Sequence, residues 1–320
     1  MTDVSVVIPT FNRWPLVADA VASVVAQRGV DFELIIVDDG SNDETAARLP
    51  CLIAALGAAH RPLRILRTEN EGVAAARNRG VAAARAPLLA FLDSDDIWQP
   101  GKLARQFEHM RQRLECSVSQ TEEIWMRREV RVNPHRRHRK RAGDFFLDSL
   151  RTCLISPSAV MMRTSVLRKL GGFDEEMRAA EDYDLWLRLL LEHRVELLPE
   201  ALVVRRAGHP GQLSATVPAI DRFRILALLK LLLRDDMSHQ QREAVCDVLI
   251  EKCAIYGNGT ARRGNSAEAD FVAGLAELSG QAWRQMPDPS LEYAIGVMRA
   301  NLARHHVAQI NSRTLDSGLD

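Results

Sequence analysis

No apolar run in this sequence of 320 residues approaches the ~18 needed to cross a bilayer, and the densest, Ile225 to Leu233, is interrupted by Lys230. A surplus of charge is lacking too: 42 basic and 42 acidic residues cancel, so no global field points to nucleic acid or a membrane surface. The five cysteines (Cys51, Cys116, Cys153, Cys246 and Cys253) are odd in number and show no Cys-x-x-Cys spacing. That pattern fits reduced, mostly buried thiols of a cytoplasmic protein better than a disulfide framework or a zinc site. The N-terminus enters a strand pattern directly, without the basic-then-apolar design of a secretory leader. A cytoplasmic location is therefore expected, with peripheral contact at the inner face of the membrane left open. Internal repeats, low-complexity segments and a Pro/Gly/Ser linker are missing. So is the Gly-x-Gly-x-x-Gly turn of a dinucleotide fold, since the first strand–helix turn reads PTFNRWP. The nearest similar string, Gly257 to Gly264, has the wrong spacing in a helical context, and no Walker A loop is present.

What is there begins with length. A prior of roughly 150 residues per domain predicts two units, or one large α/β domain with an appendage. Val4 to Pro9 is a β-branched run, followed by a turn at Thr10 to Asn12 and helical spacing from Leu16 to Gln27. Phe32 to Val37 predicts a second strand, and Ser41 with Glu44 reads as a capping box opening a helix to about Gly57. Leu63 to Leu66 is a third strand, Gly72 to Ala84 an Ala-rich helix, and Leu88 to Leu92 a fourth strand. Such alternation predicts an α/β fold: a mostly parallel central sheet sandwiched by helices, with ligands beyond the carboxyl ends of the strands. After Val217 and Pro218 the pattern turns helical, with stripes at Ile225, Leu228, Leu229 and Leu232 and at Val245, Leu249 and Ile255. Two further helical stretches run from about Ala267 to Leu278 and from Leu291 to Arg304. Residues 218–320 thus form an all-helical C-terminal appendage, which could pack on the first unit, dimerise or present an amphipathic face to a membrane.

Two strands end in acids: Asp38 and Asp39 after the second, and Asp93, Asp95 and Asp96 after the fourth. Three carboxylates so close repel one another, and a divalent cation such as Mn²⁺ or Mg²⁺ is a natural compensation, shared with substrate phosphates. Asp-rich turns also serve as solvated caps of a following helix, and Asp-Asp-Gly-Ser is good turn chemistry, so both readings stand at this level.

The order of strings adds weight. SVVIPTFNR, ELIIVDDGSNDET, GVAAARNRG, FLDSDDIW, GGFDEEMRAAEDYDLWLRL and RRAGHPGQLS succeed one another over residues 3 to 215. Together they resemble the family-2 glycosyltransferases of the GT-A fold. The resemblance implies a catalytic domain at 1–217, with about 1–110 binding the nucleotide-sugar and 111–217 the acceptor. By the same likeness, Pro9, Thr10, Phe11, Asp38 and Asp39 form the base and ribose pocket, with Asn70, Gly72 and Arg77 flanking the nucleotide. Asp93 and Ser94 lie on the donor, Asp95 and His209 hold the metal with Asp96 as an alternate, and Asp182 is the catalytic base. Ser156, Ser158 and Glu181 fall on the acceptor side.

The implied activity is metal-dependent inverting transfer of a sugar, most often from a UDP-sugar, to a hydroxyl of a glycan or lipid-linked acceptor in polysaccharide, lipopolysaccharide or other cell-envelope synthesis. An attacking hydroxyl ionises only far above neutrality, so a carboxylate within hydrogen-bond reach must take its proton. A non-catalytic glycan- or sugar-nucleotide-binding module is a competing reading, as is nucleotidyl transfer, although PTFNRWP is not that reaction's Gly-rich loop. Residues 126–141 carry eight Lys or Arg and two His. They predict a solvated loop, or else a contact for an anionic acceptor or membrane surface. Nucleic acid is not expected, because Trp125 is the one nearby aromatic available for stacking.

Overall fold

The computed structural model describes residues 2–56, 62–209, 211–212, 217–281, 283 and 289–316, with side chains described to residue 304 except at 281. Gly57, Pro210, Leu213 and Ser214, used above, lie outside the described residues. The chain divides into two compact units, residues 1–216 and 217–320.

The first unit is built on a nine-stranded sheet. Strands β1 (Val4–Thr10), β2 (Phe32–Asp38), β3 (Leu63–Arg67) and β4 (Leu88–Phe91) pair in parallel in the order β3-β2-β1-β4. Helices α1 (Leu16–Val25), α2 (Glu44–Leu56) and α3 (Val73–Ala83) make the crossovers. Every residue of β1 and β2 is buried, as parallel strands covered on both faces require. One close approach depends on glycine: a Cβ at Gly80 of α3 would stand 2.3 Å from Val7 Cγ1 of β1.

Beyond β4 the sheet changes character. After β5 (Ile97–Trp98) and α4 (Lys102–Gln112) come β6 (Val118–Arg127), β7 (Val130–Val132) and α5 (Phe146–Ser149). The unit continues with β8 (Val160–Arg163), α6 (Thr164–Lys169), α7 (Glu181–Glu192) and β9 (Val195–Ala207). The order runs on as β4-β8-β6-β9-β5, with β7 paired to β6. β8 is antiparallel to both β4 and β6, β9 is parallel to β6, and β5 is antiparallel to β9. The sheet is therefore parallel on its N-terminal side and mixed on the other. β6 escaped the sequence reading because Ser119, Gln120, Thr121, Glu122 and Glu123 break any apolar alternation. Its partners β8 and β9 hold it instead, with register irregularities between Thr121 and Glu123.

Two local expectations are corrected. Ser41 is not the cap of α2: its hydroxyl accepts from Asn12 N at 2.9 Å, and the Asp43 carboxylate accepts from Thr45 N at 2.8 Å. Asp43 sits nearer the first turn, and the shorter reach decides. The segment 126–141 is also not one solvated loop, for it contains the end of β6, β7 and a 3-10 turn at Arg136–His138, and Lys140 is buried.

The second unit consists of α8 (Asp221–Leu232), α9 (His239–Arg262), α10 (Ser266–Gln281) and α11 (Ser290–Asp316). Ser238 and Gln241 cap α9 reciprocally. Lys252 of α9 reaches Asp221 of α8 at 3.2 Å, and Tyr256 Oη donates to Glu268 of α10 at 2.7 Å. Ile255 is 60% exposed, so the inward face of α9 runs through Cys246, Leu249, Cys253 and Tyr256 instead. Among the described residues no helix is long and apolar enough to cross a membrane.

Candidate active site

The carboxyl ends of β1, β2 and β4 open onto one edge. Pro9 and Thr10 end β1 buried, the Thr10 hydroxyl has no hydrogen-bond partner, and Phe11 just beyond is 37% exposed. Asp38 accepts from Ser41 N at 2.9 Å and lies 3.8 Å from Arg67 Nε, which is turn support. Asp39 reaches further along the edge: its carboxylate accepts from Thr68 Oγ1 at 3.2 Å, Glu71 N at 3.0 Å and Gly72 N at 2.8 Å. Burial pushes Asp39 above the usual carboxylate range, although those hydrogen bonds oppose it. Asp39 thereby fixes the start of α3 and the turn carrying the exposed Asn70.

After β4 the acid loop alternates. Asp93 and Asp95 are partly open, whereas Ser94 and Asp96 are buried. Asp96 is used internally: one oxygen accepts from Ser158 Oγ at 2.6 Å and the other from Arg206 N at 3.0 Å. Burial, then the charges of Asp95 and Asp93, push Asp96 well above its ordinary pKa. Asp96, expected as an alternate ligand, has each oxygen engaged in a hydrogen bond below the surface. Asp95 instead turns to His209 on the loop after β9, with Oδ2 2.8 Å from Nε2. Burial works against its charge, but the His209 bond and charge, with Arg13, hold its pKa below the usual value. A hard oxygen and an imidazole nitrogen so close, both with access to solvent, are a donor pair that suits a divalent cation completed by phosphate oxygens.

Arg77 ties the two distant stretches together. Its guanidinium, buried within α3, donates to Asp93 Oδ1 at 2.7 Å and to Glu181 Oε1 at 2.5 Å, and lies 5.1 Å from the Phe173 ring. Phe173 is set by Gly172, where φ is +75° and a Cβ would stand 2.6 Å from Asn78 Oδ1. One cation thus serves a buried acid, Glu181, and a partly open one, Asp93. Burial, opposed by Arg77 and assisted by the Asp182 charge, pushes Glu181 up to about 7. Asp182 is the next residue of α7 and is partly open. Its Oδ1 accepts from Tyr183 N at 2.7 Å, and its Oδ2 receives a weak bond from Cys153 Sγ at 3.6 Å.

The opposite wall comes from β6 and β9. Arg205 is exposed, and the charges of Glu123, Asp96, Asp93 and Asp182 act on it. Desolvation opposes its charge, but those carboxylates more than offset this and raise its pKa. Its guanidinium lies 5.0 Å from the Trp125 ring. Ser156 and Ser158, expected on the acceptor side, are buried and hydrogen-bonded. Ser158 holds Asp96 and accepts from Asp93 N at 3.1 Å, while Ser156 donates to Glu123 and accepts from Lys140 Nζ at 3.2 Å. Arg205 and Glu123 were missed by sequence reasoning. The signal existed in the strand period of 2, which separates Arg205 from Arg206, but it needed the two ends of β6 and β9 to be known first.

The sequence pattern described as glycosyl transferase family 2 matches residues 5–171. An uncharacterized glycosyltransferase of Rickettsia felis is 31% identical over 61% of this chain, which spans 31% of that relative's length. Among solved structures, Staphylococcus aureus TarS (residues 1–349) in complex with UDP superposes with a TM-score of 0.69 at 18% identity, covering 96% of this chain and 92% of its own. The mannosyltransferase PcManGT from Pyrobaculum calidifontis, in complex with GDP-Man and Mn²⁺, gives 0.54 at 18%, covering 96% and 86%. With these likenesses and its mixed sheet flanked by helices, the fold is of GT-A type, followed by a helical C-terminal region. With the pattern covering more than half of its residues, the chain belongs to glycosyl transferase family 2.

Proposed function

We propose that this chain is a metal-dependent inverting glycosyltransferase, moving a sugar from a nucleotide-sugar to a hydroxyl acceptor in cell-envelope glycan synthesis. The observation that carries the reading is the Arg77 bridge between Asp93 and Glu181. Through it, the acid loop and the helix start bearing Asp182 border the same space. Asp182 is the base, because its carboxylate is open while that of Glu181 is buried against Arg77. Asp182 takes the acceptor proton as the hydroxyl attacks, and Arg77 keeps the first turn of α7 fixed against α3 meanwhile.

Asp39, Asn70, Gly72 and the unpartnered Thr10 hydroxyl receive the base and ribose, and Phe11 lies at the open end of that pocket. Asp95 and His209 would hold a divalent cation, which when bound neutralises charge gathering on the departing diphosphate. Asp93 and Ser94 lie on the donor beside it. UDP in TarS and GDP-Man with Mn²⁺ in PcManGT support a nucleotide-sugar and a cation of that class here, with a UDP-sugar the preferred donor. Which sugar is chosen depends on pocket contacts that no motif encodes.

Calorimetric titration of UDP with and without Mn²⁺ or Mg²⁺ tests the reading. The cation should strengthen UDP binding to the wild type, and Asp95→Ala combined with His209→Ala should abolish that gain. Equal UDP affinity in wild type and variant, at every metal concentration, would count against it.

A further inference from the structure

The basic segment forms a wall. From the tip of the β6–β7 hairpin, where Arg128 and Glu129 have positive φ, the chain turns back through Arg136–His138. Three contacts pin its return: Lys140 Nζ to Glu123 Oε1 at 3.1 Å, Gln120 Nε2 to Arg141 O at 2.9 Å, and the His138 ring 5.4 Å from that of Trp125. Between this return and β6 lies a cavity of about 260 Å³, lined in part by Glu122, Trp125, His135, Arg136, His138 and Arg139. That is smaller than the roughly 300–1,000 Å³ of a drug-sized ligand site, and suits one compact charged group.

The charge around it is uneven. Arg127, Arg128, Arg131, Arg136, Arg137 and Arg139 are exposed, and among the described residues none has a carboxylate at ion-pair distance. Arg141 pairs with Asp148 at 2.7 Å, and Lys140 is taken up by Glu123. Of these, Arg136 and Arg139 line the cavity together with the Lys140–Glu123 pair and Glu122, so two guanidinium groups without an ion-pair partner face one carboxylate whose charge burial disfavours. Guanidinium forks match phosphate oxygens in geometry and charge. The cavity also lies near the candidate site, since the Trp125 ring contacts both His138 and Arg205, and Arg205 is within electrostatic reach of Asp182.

We infer that this cavity is an acceptor subsite for a phosphate group, so that the hydroxyl presented to Asp182 belongs to a phosphate-bearing glycan or polyol. The inference rests on the proposed transferase reading. A flat membrane contact is disfavoured because the site is concave. Val130, 65% exposed, is the one large apolar side chain exposed on the segment, and interfacial insertion needs a broader face of Trp, Phe or Leu.

The test uses the full chain and Arg136→Gln/Arg139→Gln, with Arg136→Lys/Arg139→Lys as the charge-preserving control. Glycerol 3-phosphate is titrated with UDP saturating so that the donor side is filled, and sedimentation with phosphatidylglycerol vesicles runs alongside. The expected result is salt-sensitive binding of glycerol 3-phosphate that the Gln pair weakens at least about tenfold and the Lys pair largely keeps. No glycerol 3-phosphate binding to the wild type, or equal binding to the Gln pair, overturns the subsite. Vesicle pelleting without glycerol 3-phosphate binding also overturns it, in favour of a membrane surface. UDP calorimetry on the same preparations should give one affinity for all three proteins. Absence of UDP binding throughout would strike the transferase reading, separately from the subsite.

Discussion

On the parallel side of the sheet, Asp38 and Asp39 are held by backbone N–H groups of the turns beside them. Beyond β4, Asp96, Glu123 and Glu181 rely on side chains from far along the sequence: Ser158, Lys140 and Arg77. The difference teaches where each half is vulnerable. Backbone donors survive a change of side chain short of proline, so Asp38 and Asp39 tolerate substitution of the residues around them. In the second half these buried acids depend on side-chain partners, and deleting one leaves a charge stranded in low dielectric.

Arg77→Met should break the comparison most forcefully. It strands the buried Glu181 and takes a partner from the partly open Asp93, and chemical denaturation should record a loss of about 3–5 kcal/mol. A loss no larger than that of an exposed arginine such as Arg79 would contradict the bridge. Acid titration is the next probe. Burial opposes the Glu123 charge, but Lys140, Arg205 and Ser156 hold its pKa down to about 2, against 4.5 for the ordinary group. Its folded pKa is thus below its unfolded one, so the stabilisation is complete above about 4.5 and is lost as pH falls towards 2. That contribution is about 3 kcal/mol, and Glu123→Gln should flatten the pH dependence of stability across this window. Ser158→Ala is the mildest break: it removes a partner from Asp96 and from Asp93 N, for about 1–3 kcal/mol by thermal or chemical unfolding.

The same contrast explains what was legible in the sequence. β1, β2 and β4 are short β-branched or apolar runs ending in acids, so their identity and the edge they share follow from local pattern. Asp93, Asp95, Arg77, Glu181 and His209 lie on strings whose order was readable, and the structure joins them in pairs: Arg77 to Asp93 and Glu181, Asp95 to His209. By contrast β6 carries five polar residues in succession, and its strand character comes from neighbours separated by tens of residues. For the same reason the sequence, which put Ser156 and Ser158 on the acceptor side, does not announce that Glu123 and Asp96 engage their hydroxyls. Ser41 was misread in the opposite direction, since a local cap signal was overridden by the tertiary partner Asn12.

The most direct measurement is acceptor-dependent release of nucleoside diphosphate by Asp182→Asn beside the wild type, with UDP affinity taken on the same samples. The account predicts turnover lower by about 10²–10⁴-fold with UDP affinity unchanged, because the amide keeps the shape but cannot take a proton. Turnover at the wild-type rate would contradict it.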